Sequence, residues 1–126
     1  MKEIHSDILI VGSGLTGLVT AFSLSSLGFK IFVTDKNKLL NKGGKILQDT
    51  RTTAISEGSK LFLSKIGIWK KISKFAQPIK NIEVIDRKKT NKIGFFNMSH
   101  QNNLGYIVKN SKLILILKSE LIKKRN

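Results

Sequence analysis

The sequence feature that most constrains the fold is a glycine pattern close to the N-terminus. An apolar run at residues 8–11 leads directly into the segment GSGLTG at residues 12–17, which has the spacing G-x-G-x-x-G. Apolar residues at helical spacing follow this segment. A strand, a glycine turn and a helix in this order form a backbone cradle for the pyrophosphate of a dinucleotide. The pattern therefore predicts an α/β fold that begins with a βαβ unit.

Each of the three glycines has its own physical role in this motif. Gly12 permits the tight turn out of the strand, and Gly14 lets a pyrophosphate approach the backbone because it has no side chain. Gly17 allows the helix to pack closely on the strand. The N-terminus of the helix adds free N–H groups and a partial positive charge. We therefore predict that Gly12, Gly14 and Gly17 bind dinucleotide phosphates, with a chance glycine turn as the alternative.

An acidic residue closes the second predicted strand, which covers residues 30–35. Asp35 lies about 20 residues beyond the glycine motif, where an acidic side chain accepts hydrogen bonds from the adenosine ribose hydroxyls. Its negative charge would repel a 2′-phosphate, so this position favours FAD or NAD over NADP. A solvated loop aspartate is the alternative.

The rest of the chain is predicted to add helices and a small β-hairpin to this unit. The continuous apolar run at residues 8–11 is typical of a strand that is buried on both faces. Residues 37–48 are polar and rich in lysine, which indicates a loop. Ser56 is expected to cap a helix that ends near Gly67. Further predicted elements are a short amphipathic stretch at 68–75, a hairpin from 81–86 and 93–96, a strand at 106–108 and a helix at 113–122.

The composition excludes several kinds of site. The chain has 126 residues and no cysteine, so we expect a single domain over residues 1–126 without disulfides or thiolate chemistry. His5 and His100 lack ligand spacing, and no catalytic triad or carboxylate pair is present, so no catalytic or metal-binding residue is predicted. No segment reaches the roughly 20 apolar residues of a membrane span. A cytoplasmic location is expected, and a membrane-peripheral one stays open.

The formal net charge of +15 would suit a nucleic acid or an anionic membrane surface. However, the lysines are scattered along the chain among many isoleucines and asparagines, and no arginine-rich patch with interleaved aromatic residues is present. We interpret the charge as compositional drift and predict no nucleic-acid partner. A peripheral membrane contact stays open. The aromatic residues are interpreted as core rather than as a stacking platform, namely Trp69, Phe75, Phe95 and Phe96.

An arginine stands just before the capped helix, in the segment DTRTTAIS at residues 49–56. The guanidinium of Arg51 could give two hydrogen bonds to a pyrophosphate. From the residues alone, an ordinary surface arginine is an equally good interpretation.

Five segments in order resemble a known family of flavoenzymes. They are residues 7–17, RTTAIS within 49–56, GIW at 67–69, AQPI at 76–79 and LGYIVKN at 104–110. The chain is similar to the flavin-dependent aromatic hydroxylases of ubiquinone biosynthesis, of the 2-octaprenyl-6-methoxyphenol hydroxylase type, in the p-hydroxybenzoate hydroxylase group. The resemblance covers nearly the whole chain, and the RTTA and LGYIV segments are more specific than the glycine pattern.

The resemblance implies the N-terminal part of a Rossmann-like FAD-binding fold, with NAD(P)H as the reductant and a polyprenylated phenol as the substrate. It implies that the ADP half of FAD contacts the three glycines and Asp35. Arg51 corresponds to a contact near the pyrophosphate, and Asn110 to a position near the flavin. The full set of cofactor-binding residues is Gly12, Gly14, Gly17, Asp35, Arg51 and Asn110.

The chain also departs from the family pattern. Lys109 replaces a usual acidic residue, and the family's later Asp-Gly motif, Gly-Asp motif and substrate-binding sheet have no counterpart in these residues. We therefore expect a truncated FAD-binding portion that is not a competent hydroxylase alone and that exposes sheet edges and an apolar face. The alternatives are a non-catalytic dinucleotide-binding module that works with a complementing chain, and the remnant of a split gene.

Overall fold

The computed structural model describes residues 3, 5–36, 49–86, 91–96 and 103–124. The loop predicted at 37–48 lies outside these residues. The described elements follow one another in the order β1 (Ile8–Val11), α1 (Leu15–Ser26), β2 (Ile31–Thr34), β3 (Thr52–Ser56), α2 (Glu57–Lys65), α3 (Trp69–Ile72), a 3₁₀ turn (Ser73–Phe75), β4 (Gln77–Ile79), β5 (Asn81–Ile85), β6 (Lys92–Phe96), β7 (Gly105–Lys109) and α4 (Asn110–Lys123).

The predicted βαβ unit is confirmed. Strands β1 and β2 pair in parallel, with Ile8 opposite Ile31, and α1 connects them. A parallel pair requires such a crossover because its strands cannot be joined by a tight turn. Gly28 follows α1 with φ of +94°, which is the left-handed conformation that commonly ends a helix.

The prediction that β1 is buried on both faces is wrong. Ile10 faces Gly17 of α1, whereas Leu9 and Val11 are 59% and 80% exposed. Among the described residues, α1 covers one face of the β1–β2 pair and no element shields the side chains on the other. A continuous apolar run shows that both faces of a strand are apolar, but it does not show that both faces are covered.

Three strands from residues 52–109 form an antiparallel sheet with the order β3-β7-β4. Thr52 lies opposite Lys109, and Pro78 of β4 lies opposite Tyr106. The strand at 106–108 was predicted and is confirmed as β7, whereas β3 and β4 were not predicted as strands. Pro78 weakens the strand signal because proline cannot donate to a ladder, and it is tolerated here since β4 lies at the sheet edge.

The core forms where α1, α2, α3 and α4 pack on β3 and β7. Two side chains of α1 and two of α4 face each other at helical spacing, and residues from the other elements complete the cluster. The buried core residues are Leu18, Ala21, Phe22, Ile55, Leu63, Ile68, Ile72, Val108, Leu113 and Leu117. Trp69 packs against this core, as predicted, with its ring edge-on to Tyr106 at 4.9 Å between centroids.

The prediction that the other aromatic residues belong to the core is wrong. Phe75, Phe95 and Phe96 are exposed, the last two in the predicted hairpin, which is confirmed as β5–β6. That hairpin is a two-stranded sheet of its own, so the described residues provide no layer against which its rings could pack.

Both predicted ends of α2 are confirmed. The Ser56 hydroxyl oxygen accepts a hydrogen bond from the Ser59 N–H at 3.2 Å, which caps the helix N-terminus. The chain leaves the helix through Gly67, where φ is +84°. No described helix has both the length and the apolar composition required to cross a membrane.

Candidate functional site

The glycine motif forms the turn between β1 and α1. Gly12 has φ of +110°, a conformation that strains any residue with a side chain. Its N–H donates to the Thr34 carbonyl at 2.7 Å, which ties the turn to the end of β2. A Cβ on Gly17 would overlap the Gly12 carbonyl oxygen. Gly12 and Gly17 are therefore required by the turn itself, before any ligand is considered.

Gly14 differs from the other two because neither its backbone conformation nor a neighbouring atom requires a glycine there. A Cβ at Gly14 would meet no described atom within 4 Å. Gly14 is also the N-cap of α1, where no side chain supplies a capping hydrogen bond and the first turn holds no acidic residue. The first N–H groups of a helix have no partner within the helix. Open space in front of such groups fits the pyrophosphate of a dinucleotide.

Asp35 follows β2 and holds the glycine turn. Its Oδ2 accepts hydrogen bonds from the Ser13 N–H at 2.7 Å and from the Ser13 hydroxyl at 2.9 Å. Ser13 is buried, although it is polar. The sequence analysis missed this role of Ser13, and the available signal was a hydroxyl residue between the first two glycines of the motif. Contact of Asp35 with a ribose stays a prediction.

A lysine from the last helix lies within electrostatic range of Asp35. Burial lowers the pKa of Lys118, and the negative charge of Asp35 acts in the opposite direction. No sequence signal indicated this proximity, because α4 is far from β2 along the chain. The positive charge of Lys118 therefore offsets part of the negative charge at Asp35.

Arg51 is held by an aspartate two residues before it. Its Nε lies 2.9 Å from Asp49 Oδ1 and its Nη2 lies 3.0 Å from Asp49 Oδ2, so the guanidinium and carboxylate form a two-pronged ion pair. This hydrogen-bonded pair lowers the pKa of Asp49 to about 2. The Arg51 side chain is nevertheless 80% exposed. Asp49 thus fixes the position of a cation that still faces solvent.

Asn110 opens α4 beside this ion pair. Its N–H donates to the Arg51 carbonyl at 3.0 Å, and its Oδ1 accepts a hydrogen bond from the Thr53 hydroxyl at 2.6 Å. A side-chain hydrogen bond from Asn110 also contributes to the low pKa of Asp49. The pairing of β3 with β7 therefore brings together two predicted residues, Arg51 and Asn110. We call the four residues Asp49, Arg51, Thr53 and Asn110 the polar cluster.

An open groove of about 580 Å³ runs along α1. Leu15 and Thr16, which adjoin the glycine turn, line it together with Thr53 of the polar cluster. None of the six predicted cofactor residues lines the groove itself. It continues along a mixed face of α1 that carries both aliphatic and hydroxyl side chains, toward Ser59 and Phe62 of α2. No group of three or more metal-binding side chains occurs among the described residues.

Comparison with known proteins identifies relatives over most of the chain. The chain is 32% identical over 111 residues to the ubiquinone hydroxylase UbiL of Rhodospirillum rubrum, a match that covers 86% of this chain and 25% of that protein. It is 30% identical over 124 residues to the human mitochondrial ubiquinone biosynthesis monooxygenase COQ6, covering 91% and 26%. The chain thus spans about a quarter of the length of these relatives. The resemblance to ubiquinone hydroxylases is confirmed.

Solved structures confirm the α/β fold. A variant of PqsL from P. aeruginosa superimposes with a TM-score of 0.74 at 15% identity, covering 96% of this chain and 32% of that one. A geranylgeranyl bacteriochlorophyll reductase-like protein from Thermoplasma acidophilum gives 0.68 at 19% identity, covering 94% and 28%. The model of one protein family, described as the FAD binding domain, matches residues 5–120. The chain therefore belongs to the FAD-binding domain family.

Proposed function

We propose that the β1–α1 turn binds the ADP half of FAD. In this proposal Gly12, Gly14 and Gly17 surround the pyrophosphate, and Asp35 accepts hydrogen bonds from the adenosine ribose. The observation that carries the proposal is the open space at Gly14 in front of an uncapped helix N-terminus. That position combines available N–H donors with the positive end of the helix dipole, which favours a phosphate group.

The polar cluster is proposed to contact the cofactor beyond the ADP half. Arg51 would donate to the pyrophosphate, since its exposed guanidinium is already oriented by Asp49. Asn110 would lie near the flavin, because its backbone is hydrogen-bonded to Arg51 and its side chain to Thr53. Thr53 also lines the groove that begins beside the glycine turn, which supports a cofactor path past both features.

We further propose that residues 1–126 are the N-terminal FAD-binding portion of a monooxygenase that hydroxylates a polyprenylated phenol in ubiquinone biosynthesis. Bound flavin, reduced by NAD(P)H, would supply the oxygen chemistry, and this chain's residues would hold and orient it. The names and sequence identity of the relatives support this assignment. The proposed location is the cytoplasm, and a peripheral membrane contact, which a polyprenylated substrate would favour, stays open.

The proposal is tested by titrating the purified chain with FAD while following flavin fluorescence. The Gly14→Ala variant should bind FAD at least about tenfold more weakly, a loss of about 1.4 kcal/mol, because its methyl group would occupy the phosphate position. Gly58→Ala is the matched control, since a Cβ there meets only the Ser56 Oγ, at 4.0 Å, and Gly58 lies on α2, away from the turn. Equal FAD affinity in the two variants would contradict binding at this turn.

A non-catalytic dinucleotide-binding module is the second candidate, because the chain spans only about a quarter of its relatives. This candidate does not require flavin, so it is distinguished by a parallel titration with NAD. Binding of NAD without binding of FAD would favour the module and contradict the hydroxylase assignment. Flavin absorbance that copurifies with the chain would favour the hydroxylase assignment.

A further inference from the structure

Ser13 gives both of its hydrogen-bond donors to one oxygen of Asp35. The Ser13 N–H lies 2.7 Å and the Ser13 hydroxyl 2.9 Å from Asp35 Oδ2. Other serine hydroxyls nearby make a different choice, since those of Ser23, Ser25 and Ser26 in α1 donate to carbonyls three or four residues before them. Ser13 is 5% exposed, so its hydroxyl requires a partner within the protein. That this partner is a carboxylate at the end of a neighbouring strand points to a role for the contact.

The path of the backbone does not depend on the Ser13 hydroxyl. The Gly12 N–H donates to the Thr34 carbonyl at 2.7 Å, and the Ser13 N–H donates to the Asp35 side chain. These two bonds already join the glycine turn to the end of β2. The hydroxyl is a third link between segments that are held together without it. Its effect therefore falls on the side chain of Asp35.

Two donors on one oxygen determine the orientation of a carboxylate. A single hydrogen bond still lets the carboxyl group rotate about the bond to its Cβ, whereas a second donor from another direction restricts that rotation. A carboxylate oxygen has about two lone-pair sites, so the two Ser13 donors saturate Oδ2 of Asp35. A ribose bound at this position would then be accepted by the other oxygen, Oδ1.

We propose that Ser13 is a positioning residue for ribose recognition, whose hydroxyl holds the Asp35 carboxylate so that Oδ1 accepts hydrogen bonds from the adenosine ribose hydroxyls. The inference rests on the proposed binding of the ADP half of FAD at this turn, and it adds the residue that sets selectivity for a ribose over a deoxyribose. Hydrogen bonds to a carboxylate are strong only when they are aligned. A carboxylate that rotates would therefore lose this selectivity, while the phosphate contacts of the turn would remain.

The variant Ser13→Ala isolates this role because it removes the hydroxyl and keeps the N–H bond to Asp35. Ser25→Ala is the matched control. The Ser25 hydroxyl is also partly buried and donates to the Phe22 carbonyl at 2.9 Å, near the end of α1 that lies far from the turn. Both variants lose one hydroxyl and one hydrogen bond, but only Ser13→Ala changes the contacts of Asp35.

The test is calorimetric titration of the 126-residue chain with ADP and with 2′,3′-dideoxy-ADP, which lacks both ribose hydroxyls. The unmodified chain should bind ADP at least about tenfold more tightly than the dideoxy nucleotide, because hydrogen bonds to a charged group are lost. Ser13→Ala should reduce this ratio to about threefold or less and change the affinity for dideoxy-ADP by less than about twofold. Ser25→Ala should leave the ratio unchanged. A purely structural effect on the turn would weaken both nucleotides equally.

A double-mutant cycle shows whether Ser13 acts through Asp35. Asp35→Ala should lower the ratio of the two affinities as well. Adding Ser13→Ala to Asp35→Ala should then change the ratio by less than about twofold, because no carboxylate is left to orient. A further fall in the double variant would overturn the proposal, since Ser13 would then act independently of Asp35.

The remaining outcomes separate this inference from the proposed function. An equal ratio in the unmodified chain and in Ser13→Ala would overturn the inference and leave ADP binding at the turn in place. Failure of the unmodified chain to bind ADP would contradict the proposed function and the inference together. Fluorescence of Trp69, the single tryptophan, shows during urea unfolding whether each variant is folded. An unfolded Ser13→Ala beside a folded Ser25→Ala would assign the hydroxyl to stability and overturn the positioning role.

Discussion

At the residue scale, the polar cluster shows how a short-range ion pair can hold a cation in a position that faces solvent. Asp49 engages Arg51 through both carboxylate oxygens and leaves most of the Arg51 side chain in solvent. The glycine roles could be predicted because a turn conformation and a close approach are properties of a few adjacent residues. The bonds from Ser13 to Asp35 and from Thr53 to Asn110 could not, because each depends on where two distant elements end.

The ion pair gives the first prediction at this scale. The depressed pKa of Asp49 means that the pair stabilises the fold above the ordinary pKa of this carboxyl, and that this contribution is lost as the pH falls toward about 2. Arg51→Ala should raise the pKa of Asp49 from about 2 toward its ordinary value of 3.8. Carboxyl-carbon NMR titration measures this change. The control is Lys80→Ala, and an unchanged Asp49 midpoint in Arg51→Ala would disprove the assignment.

At the scale of elements, prediction succeeded where the signal lies within one segment. The apolar spacing in 113–122 predicted a helix, and the structure contains α4 at Asn110–Lys123. It failed where an element depends on a neighbour. Strand β3 contains only five residues and lies within the segment DTRTTAIS. It is a strand because it pairs with β7. The apolar residues of β1 likewise predicted burial, which only a covering layer can provide.

The packing of α4 on α1 gives a prediction for this scale. Leu117 is 1% exposed in the core, and Leu115 is 37% exposed on the same helix. Leu117→Ala should lower the free energy of unfolding by about 2–5 kcal/mol, because it leaves a cavity. Leu115→Ala removes the same atoms from a partly solvated position and should cost less than about 1 kcal/mol. Urea unfolding followed by circular dichroism measures both, and similar losses would show that α4 packs differently.

At the scale of the whole molecule, the fold contains the complete glycine turn that we propose for the ADP half of FAD, beside apolar surfaces that remain exposed. Val11 of β1 and Phe95 of β6 are on separate sheets, and both face solvent among the described residues. The match to family and relatives could be predicted from ordered motifs, since these are local. The sequence predicts that sheet edges and an apolar face are exposed. It does not predict that the hairpin carries them, because this depends on which strands pair with one another.

The catalytic prediction belongs to this scale. The purified 126-residue chain, supplied with FAD and NADPH, should give no hydroxylated product from a polyprenylated phenol, because the chain spans about a quarter of its relatives. Product analysis by mass spectrometry measures the outcome, with complete Rhodospirillum rubrum UbiL as the comparison. Turnover by the chain alone would contradict the expectation that residues 1–126 are not a competent hydroxylase alone.

The bonds from Ser13 to Asp35 have a consequence for the rate at which a cofactor would associate with the turn in the proposed binding mode. Because the Ser13 N–H and hydroxyl already donate to Asp35, the turn keeps its shape without a ligand. This loop is therefore ordered when the chain folds, so its conformational entropy is not lost again when a ligand associates. A phosphate would meet a rigid set of donors, and its binding rate would be governed by diffusion and by the positive charge of the chain rather than by rearrangement of the turn.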